Sequence, residues 1–185
     1  MAAGVHSMRV SISGPPGSGK TTIASLVAEA IGLELILTGQ VFRDQAKKAG
    51  MDVHSYNKLA EMDETIDKKL DGEILRLARK SDKVLVEGRL AGYILNANRV
   101  PSFKIFVTAP LKVRAERIAK RENSKAEHEL EKLENRELSE RIRYKDFYKF
   151  DIEDMSIYDL VVDSGNITAD KAAEIILGEI RKVVR

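Results

Sequence analysis

The sequence predicts an α/β protein, a mostly parallel sheet with helices on both faces. Three observations predict it. Short β-branched or aliphatic runs recur at residues 10–12, 33–37, 84–86, 103–107 and 160–162. Between them lie segments whose apolar residues fall three and four apart, the spacing of a helix with one buried face. The runs are unbroken rather than alternating, as expected of strands covered on both sides. At 185 residues the chain is long enough for one such core and too short for two comfortable domains.

Taken in chain order, residues 1–7 lack the apolar centre of a secretory leader, and Met8 opens the strand-like run MRVSIS. Residues 1–7 are therefore expected to be an extension, and 8–185 a single domain. The first strand runs into Gly14, Pro15, Pro16, Gly17, Ser18, Gly19, Lys20, Thr21 and Thr22, which match G-x-x-x-x-G-K-[ST]. A loop of this kind curls so that successive backbone N–H groups point at phosphate oxygens, and its glycines permit the dihedrals and the close approach. The helix beginning near Lys20 adds its positive end. Lys20 supplies a cation for β- and γ-phosphates, and the Thr21 hydroxyl is a hard ligand for Mg2+. A chance glycine-rich turn would lack the strand before and the helix after. That helix is marked by Ile23, Leu26, Val27, Ala30 and Ile31.

The second strand ends in Thr38-Gly-Gln-Val-Phe-Arg43. Thr38 is expected to cap a helix, with Arg43 one turn in at the carboxyl edge of the sheet, where ligands bind in open α/β folds. A guanidinium there can grip a phosphate, although a capped helix with a solvated arginine has the same pattern. Residues 39–81 then carry helix only, with Leu70, Ile74, Leu75 and Leu77 as an apolar stripe, and read as an excursion from the sheet. The third strand ends in Glu87-Gly88-Arg89. Glu87 stands where a phosphate-loop enzyme places its metal-side acid, and Arg89 is aimed at the same crevice. An ordinary turn is the alternative.

After the fourth strand, Arg114, Arg117 and Arg121 share one helical face. Residues 120–145 hold fifteen charged residues with Leu130, Leu133, Leu138 and Ile142 as the only large aliphatics. Arg136, Arg141 and Arg143 lie in its second half. Phosphoryl transfer needs positioned cations that close over the phosphates, and two arginine-bearing helices hinged on the sheet would supply them. A solvated, salt-bridged hairpin is the other reading. The thin apolar stripe predicts a segment of low stability that opens and closes. A last strand and a helix carrying Ala172, Ile175, Ile176, Ile180 and Val183 end the fold.

Composition excludes several classes. Hydrophobic residues at 43% and charged residues at 32% are those of a folded globular chain. The 31 basic and 29 acidic residues nearly cancel, so no nucleic-acid footprint is implied. The absence of cysteine rules out a disulfide framework and a thiolate metal site. No apolar run reaches the roughly 18 residues of a membrane helix. A cytoplasmic monomer acting on small-molecule nucleotides is expected, with no nucleic acid and no membrane.

From Met8 onward the chain resembles the nucleoside monophosphate kinases, and looks most like the small cytidylate kinases of the archaeal type. The likeness is carried by residues 14–22, 38–43 (TGQVFR), 86–92 (VEGRLAG), the Arg114/Arg117/Arg121 helix and 158–164 (YDLVVDS). It implies a P-loop three-layer sandwich on a five-stranded parallel sheet. A nucleotide-binding helical insertion would span about 39–81 and a helical lid about 120–145. It implies ATP and Mg2+, with Thr21 on the metal and Glu87 reaching it through a water. Thr38, Arg43 and Arg89 would touch the acceptor, and Arg117, Arg121, Arg141 and Arg143 would serve the transferring phosphoryl group beside Lys20. The adenylate-kinase turn Gly-Phe-Pro-Arg is replaced by Gly88-Arg89-Leu90, which counts against AMP. Glu87 and Leu90 also stand where bacterial cytidylate kinases carry aspartates, so the acceptor of the cytosine amine must come from elsewhere, with Asn57, Glu61 and Asp63 as candidates. CMP and dCMP are the expected acceptors. The alternatives are another small-molecule P-loop kinase acting on UMP, AMP or shikimate, and an ATP-gated binding module.

Overall fold

The computed structural model describes residues 8–183, so the expectation for residues 1–7 lies outside the described residues. The elements run β1 (Met8–Ser13), α1 (Lys20–Ile31), β2 (Glu34–Leu37), α2 (Thr38–Lys48), α3 (Val53–Met62), α4 (Glu64–Lys80), β3 (Lys83–Glu87), α5 (Ala91–Ala97), β4 (Phe103–Thr108), α6 (Leu111–Glu122), α7 (Ala126–Tyr148), β5 (Leu160–Asp163) and α8 (Ala169–Val183). Every strand pairing is parallel, and the order across the sheet is β2-β3-β1-β4-β5. Each expected run became a strand. Short α5, between β3 and β4, had no counterpart in the sequence reading.

The two faces of the sheet carry separate cores. On one, Val10, Ile12, Ile105 and Val107 pack against Ile23 and Val27 of α1 and Ile176 and Ile180 of α8. On the other, Ile36, Val84 and Val86 meet Ile74 and Ala78 of α4 and Leu95 of α5. Strands sandwiched this way need apolar residues at consecutive positions, which is why 84–86 reads as an unbroken aliphatic run. Residues 39–81 do form helix only. Ala46, Tyr56, Ala60 and Ile66 with Phe42 make a small core of their own there, away from the sheet.

Strand register sets the working edge. Glu87 of β3 is level with Ile12 of β1 on one side and Leu37 of β2 on the other. The three carboxyl ends therefore finish together, and whatever follows each strand is delivered to one place. The approach is close: a Cβ added to Gly88 would lie 2.4 Å from the Thr38 hydroxyl, so only glycine fits after β3.

Two local expectations are corrected. Thr38 does not cap α2; it is the first helical residue, Leu37 is the cap, and the buried Thr38 hydroxyl has no hydrogen-bond partner. The apolar stripe of 120–145 is also split rather than shared. Leu133 is buried and Leu130 partly buried against Ala115 and Ile118 of α6, whereas Leu138 and Ile142 are exposed at 61% and 55%. The far end of α7 is anchored separately: Tyr144 and Tyr148 pack with Leu90, Ile94 and Phe150.

Candidate active site

A cleft of about 1410 Å3 opens at the carboxyl edge of the sheet. The loop after β1 forms its floor. Gly17 and Gly19 hold φ of +78° and +80°, a region that disfavours side chains. Gly17 is also pressed against α6, where an added Cβ would lie 2.8 Å from the Arg114 carbonyl oxygen. Gly19 is the α1 N-cap and no side chain caps that end. The first N–H groups of α1 are thus free of side-chain acceptors and suited to an anion. The buried Ser18 hydroxyl, likewise unpartnered, points the same way.

Lys20 Nζ donates to the Pro15 carbonyl at 3.4 Å and lies 3.7 Å from Glu87 Oε1. Burial pulls the Lys20 ammonium down; Glu87 opposes this, while Arg89 and Arg136 add to it. Burial pushes the Glu87 carboxyl up, against the pull of Lys20 and the Thr21 hydroxyl. Burial disfavours the charged form of both groups, so phosphate for the lysine and a cation for the glutamate would each be stabilising. A hydroxyl and a carboxyl side by side at the loop mouth fit Mg2+, which takes few protein ligands and leaves its remaining positions to phosphate and water. Among the described residues no group of three or more His, Cys, Asp or Glu could hold a metal by itself.

The arginines separate into distinct roles. Arg117 lies against the phosphate loop, 4.0 Å from a Cβ added at Gly19, and donates to the Ser164 carbonyl at 2.7 Å and its hydroxyl at 3.1 Å. Ser164 in turn donates to the Ser18 carbonyl, so the segment after β5 ties Arg117 to the loop. Arg114 is buried and structural: it donates to the Ala109 and Pro16 carbonyls and pairs with Glu137 at 2.6 Å. Arg121 lines the cleft but is exposed and paired with its neighbour Glu122. Arg141 stands outside the cleft lining, 53% exposed and 3.0 Å from Glu153. The side chain of Arg143 lies outside the described residues. Arg136, not singled out for a role, does line the cleft.

The model of the cytidylate kinase-like family matches residues 9–166. The chain belongs to that family. It is 42% identical to "Cytidylate kinase" of Methanocaldococcus jannaschii, over 94% of this chain and 97% of that one. It is also 42% identical to the protein of the same name from Archaeoglobus fulgidus, over 95% and 97%. Among solved structures, shikimate kinase from Acinetobacter baumannii in complex with shikimate aligns with a TM-score of 0.63 at 17% identity, covering 96% of this chain and 94% of that one. That likeness shows the fold, a five-stranded parallel sheet sandwiched between helices.

Beside the loop, the same cleft of this family member carries a second set of side chains that the sequence only half disclosed. Thr38, Arg43 and Arg89 all line it, as expected. Arg43 donates to Gln40 Oε1 at 2.8 and 3.2 Å, while Arg89 is held by a partner from far along the chain. Glu140 of α7 accepts from Arg89 Nε at 2.8 Å and from Arg136 Nε at 2.7 Å. Burial alone would push Glu140 up, but the two guanidinium groups outweigh it and hold the carboxyl below the ordinary glutamate range. Neither Glu140 nor Arg136 could be told from the other charges of 120–145 by spacing.

The candidate base readers fare unequally. Asn57 and Glu61 line the cleft and bond to each other at 3.3 Å. Asp63 does not line it: half-buried, it caps α4 by accepting from the Thr65 N–H at 2.9 Å. Asp67, Asp71, Tyr144 and Tyr148, none of them anticipated, line the same wall.

Proposed function

We propose that the chain is a cytidylate kinase, transferring the γ-phosphoryl group of ATP to CMP or dCMP to give ADP and CDP. The observation that carries this is the convergence of a phosphate loop and a second, arginine-bearing wall on one cleft, in a chain 42% identical over 94% of its length to a curated cytidylate kinase. A loop for ATP alone would suit a switch; a second anion-binding wall facing it suits a phosphoryl acceptor.

In this mechanism residues 14–22 cradle the ATP phosphates, with Lys20 reaching the β- and γ-oxygens. Thr21 and, through a water, Glu87 would hold Mg2+, which would supply charge neutralisation on the phosphate oxygens. Thr38, Arg43 and Arg89 orient the acceptor phosphate. Its oxygen is already anionic, so no strong general base is needed, and catalysis is alignment plus charge neutralisation. Arg117, fixed beside the loop, and Arg121 and Arg136 on the flanking helices would face the transferring group. Arg141 and Arg143 enter only if α7 shifts. Residues 39–81 act as the acceptor-binding insertion and 120–145 as the lid, whose closure excludes water. The enzyme works as a cytoplasmic monomer in pyrimidine nucleotide metabolism.

A coupled assay of ADP release with CMP, dCMP, UMP, AMP, shikimate or no acceptor tests the reading. CMP and dCMP should give the highest initial rates at sub-saturating acceptor, UMP less and AMP least. AMP outrunning CMP would overturn the substrate; ADP release independent of every acceptor would support a binding module instead.

A further inference from the structure

We propose that Asp71 is the residue that reads the acceptor base, its carboxylate accepting the hydrogen bond of the cytosine exocyclic amine. The inference rests on the cytidylate kinase reading and supplies the specificity determinant that the turn after β3 lacks.

Placement comes first. Asp71 lies on α4, in the cleft wall that also holds Leu70, Leu90, Ile94, Tyr144 and Tyr148. Leu90, Ile94, Tyr144 and Tyr148 pack here as one apolar and aromatic cluster, the character of a surface that takes a flat heterocycle. Arg43 and Arg89 line the same cleft, so a nucleotide gripped there by its phosphate can reach the wall with its base. Asp71 is half-buried and interacts with the Tyr148 hydroxyl. Tyr148 is itself held at the end of α7, its carbonyl accepting from the Tyr93 hydroxyl at 2.9 Å and its ring lying edge-on to Tyr93. One hydrogen bond from Tyr148 uses part of the acceptor capacity of a carboxylate, which has roughly four lone-pair sites, and leaves the rest for a ligand.

The chemistry matches cytosine rather than uracil. At position 4 cytosine offers an N–H donor and uracil a carbonyl oxygen. Against a fixed carboxylate the first forms a hydrogen bond and the second leaves two acceptors facing each other without a proton. Burial pushes Asp71 up to about 6; the Tyr148 hydroxyl opposes the shift and Asp67 adds to it. A donor arriving from the ligand therefore stabilises an ionised form that the free protein disfavours. Adenine also presents an amine, so this contact separates CMP from UMP and not from AMP.

The test removes the amine from the ligand as well as the carboxylate from the protein. The kcat/KM is measured for CMP, UMP and the 5′-monophosphate of the pyrimidin-2-one riboside, which is cytidine without its amine. Wild type should prefer CMP over both by about 50-fold or more, of the kind seen where a site built for a hydrogen bond meets a ligand that lacks it. Asp71→Leu, which removes every acceptor, should shrink both ratios at least about tenfold, and Asp71→Asn, whose amide can turn an N–H toward a carbonyl, should shrink the CMP-to-UMP ratio by as much. A residue that merely braced Tyr148 would lower all three values together and leave the ratios alone. Ratios within about twofold of wild type in folded Asp71→Leu overturn the assignment. So does a wild type that accepts the amine-free analogue as well as CMP, a result that needs no variant. A wild type that phosphorylates none of the pyrimidine monophosphates overturns the function itself, and Asp71 with it.

Discussion

The phosphate loop takes its shape from its own backbone, whereas the arginine-bearing wall of the cleft borrows side chains from α2, α4, the turn after β3 and α7. Residues 14–22 are contiguous, pinned by glycines at positive φ and by Arg114 and Ser164 behind them. The wall is assembled from Thr38, Arg43, Asp71, Arg89 and Glu140, which sit up to a hundred residues apart. A backbone-made site fails as a unit when one position is wrong. A side-chain-made site fails piecewise, and each piece changes a different property.

The comparison is sharpest at Lys20, where the loop contributes a side chain. Lys20→Ala should lower turnover by about 10²-fold or more, the scale of a lost charge contact in such a transition state. Turnover within threefold of wild type would remove the loop from the reaction. Gly17→Ala tests the backbone claim directly. The new methyl group meets a carbonyl oxygen that cannot swing aside, at a φ that alanine resists. Strain of about 1–3 kcal/mol should appear as a KM for ATP about 5- to 100-fold higher. An unchanged KM would mean that the loop is not shaped as described.

At the arginine cluster, Glu140→Gln leaves Arg89 and Arg136 facing a neutral amide. The loss should be about 2 kcal/mol of stability, less than for a fully buried pair because Arg136 is 59% exposed. Urea unfolding reads it, and no loss would mean that α7 does not depend on this contact. The smallest effect belongs to Asp71. Its folded value of about 6 exceeds its ordinary 3.8, so the stability it contributes is complete below 3.8 and is lost as pH rises through 6. Asp71→Asn should therefore be more stable relative to wild type at about pH 8 than at about pH 4, by roughly 1–2 kcal/mol. Glu140 runs the other way: its value is held down, so its contribution is present at neutral pH and lost in acid.

The same contrast explains what could be read from the chain. The sheet was legible because strands buried on both faces demand consecutive aliphatics, and the loop because its residues are neighbours in sequence as well as in space. Arg43 and Arg89 were legible because strand ends deliver them to the carboxyl edge. Arg136 and Glu140 were not legible, because among fifteen charges on 120–145 no spacing separates these two, which line the cleft, from Arg141, which does not. Asp63 was named a candidate and Asp71 was not, for a similar reason: both are acids on the insertion, and spacing does not show that Asp71 lines the cleft while Asp63 caps α4. Thr38 looked like a cap, but its hydroxyl is enclosed by the tight passage of β2 beside Gly88.

The Glu140 contact has an electrical consequence for substrate capture. Arg89 already holds a carboxylate oxygen at 2.8 Å in the free protein. On the proposed reading, an arriving monophosphate does not meet a bare positive charge; it displaces one anion with another. Acceptor binding then resembles ion exchange, in which little net charge is neutralised and few mobile ions are released. The KM for CMP should respond less than the KM for ATP to a rise in KCl from about 50 to about 300 mM, over which screening shortens from roughly 14 to 6 Å. The displaced Glu140 is left near the phosphate, a like charge that opposes long residence and favours departure of the charged product once transfer is complete.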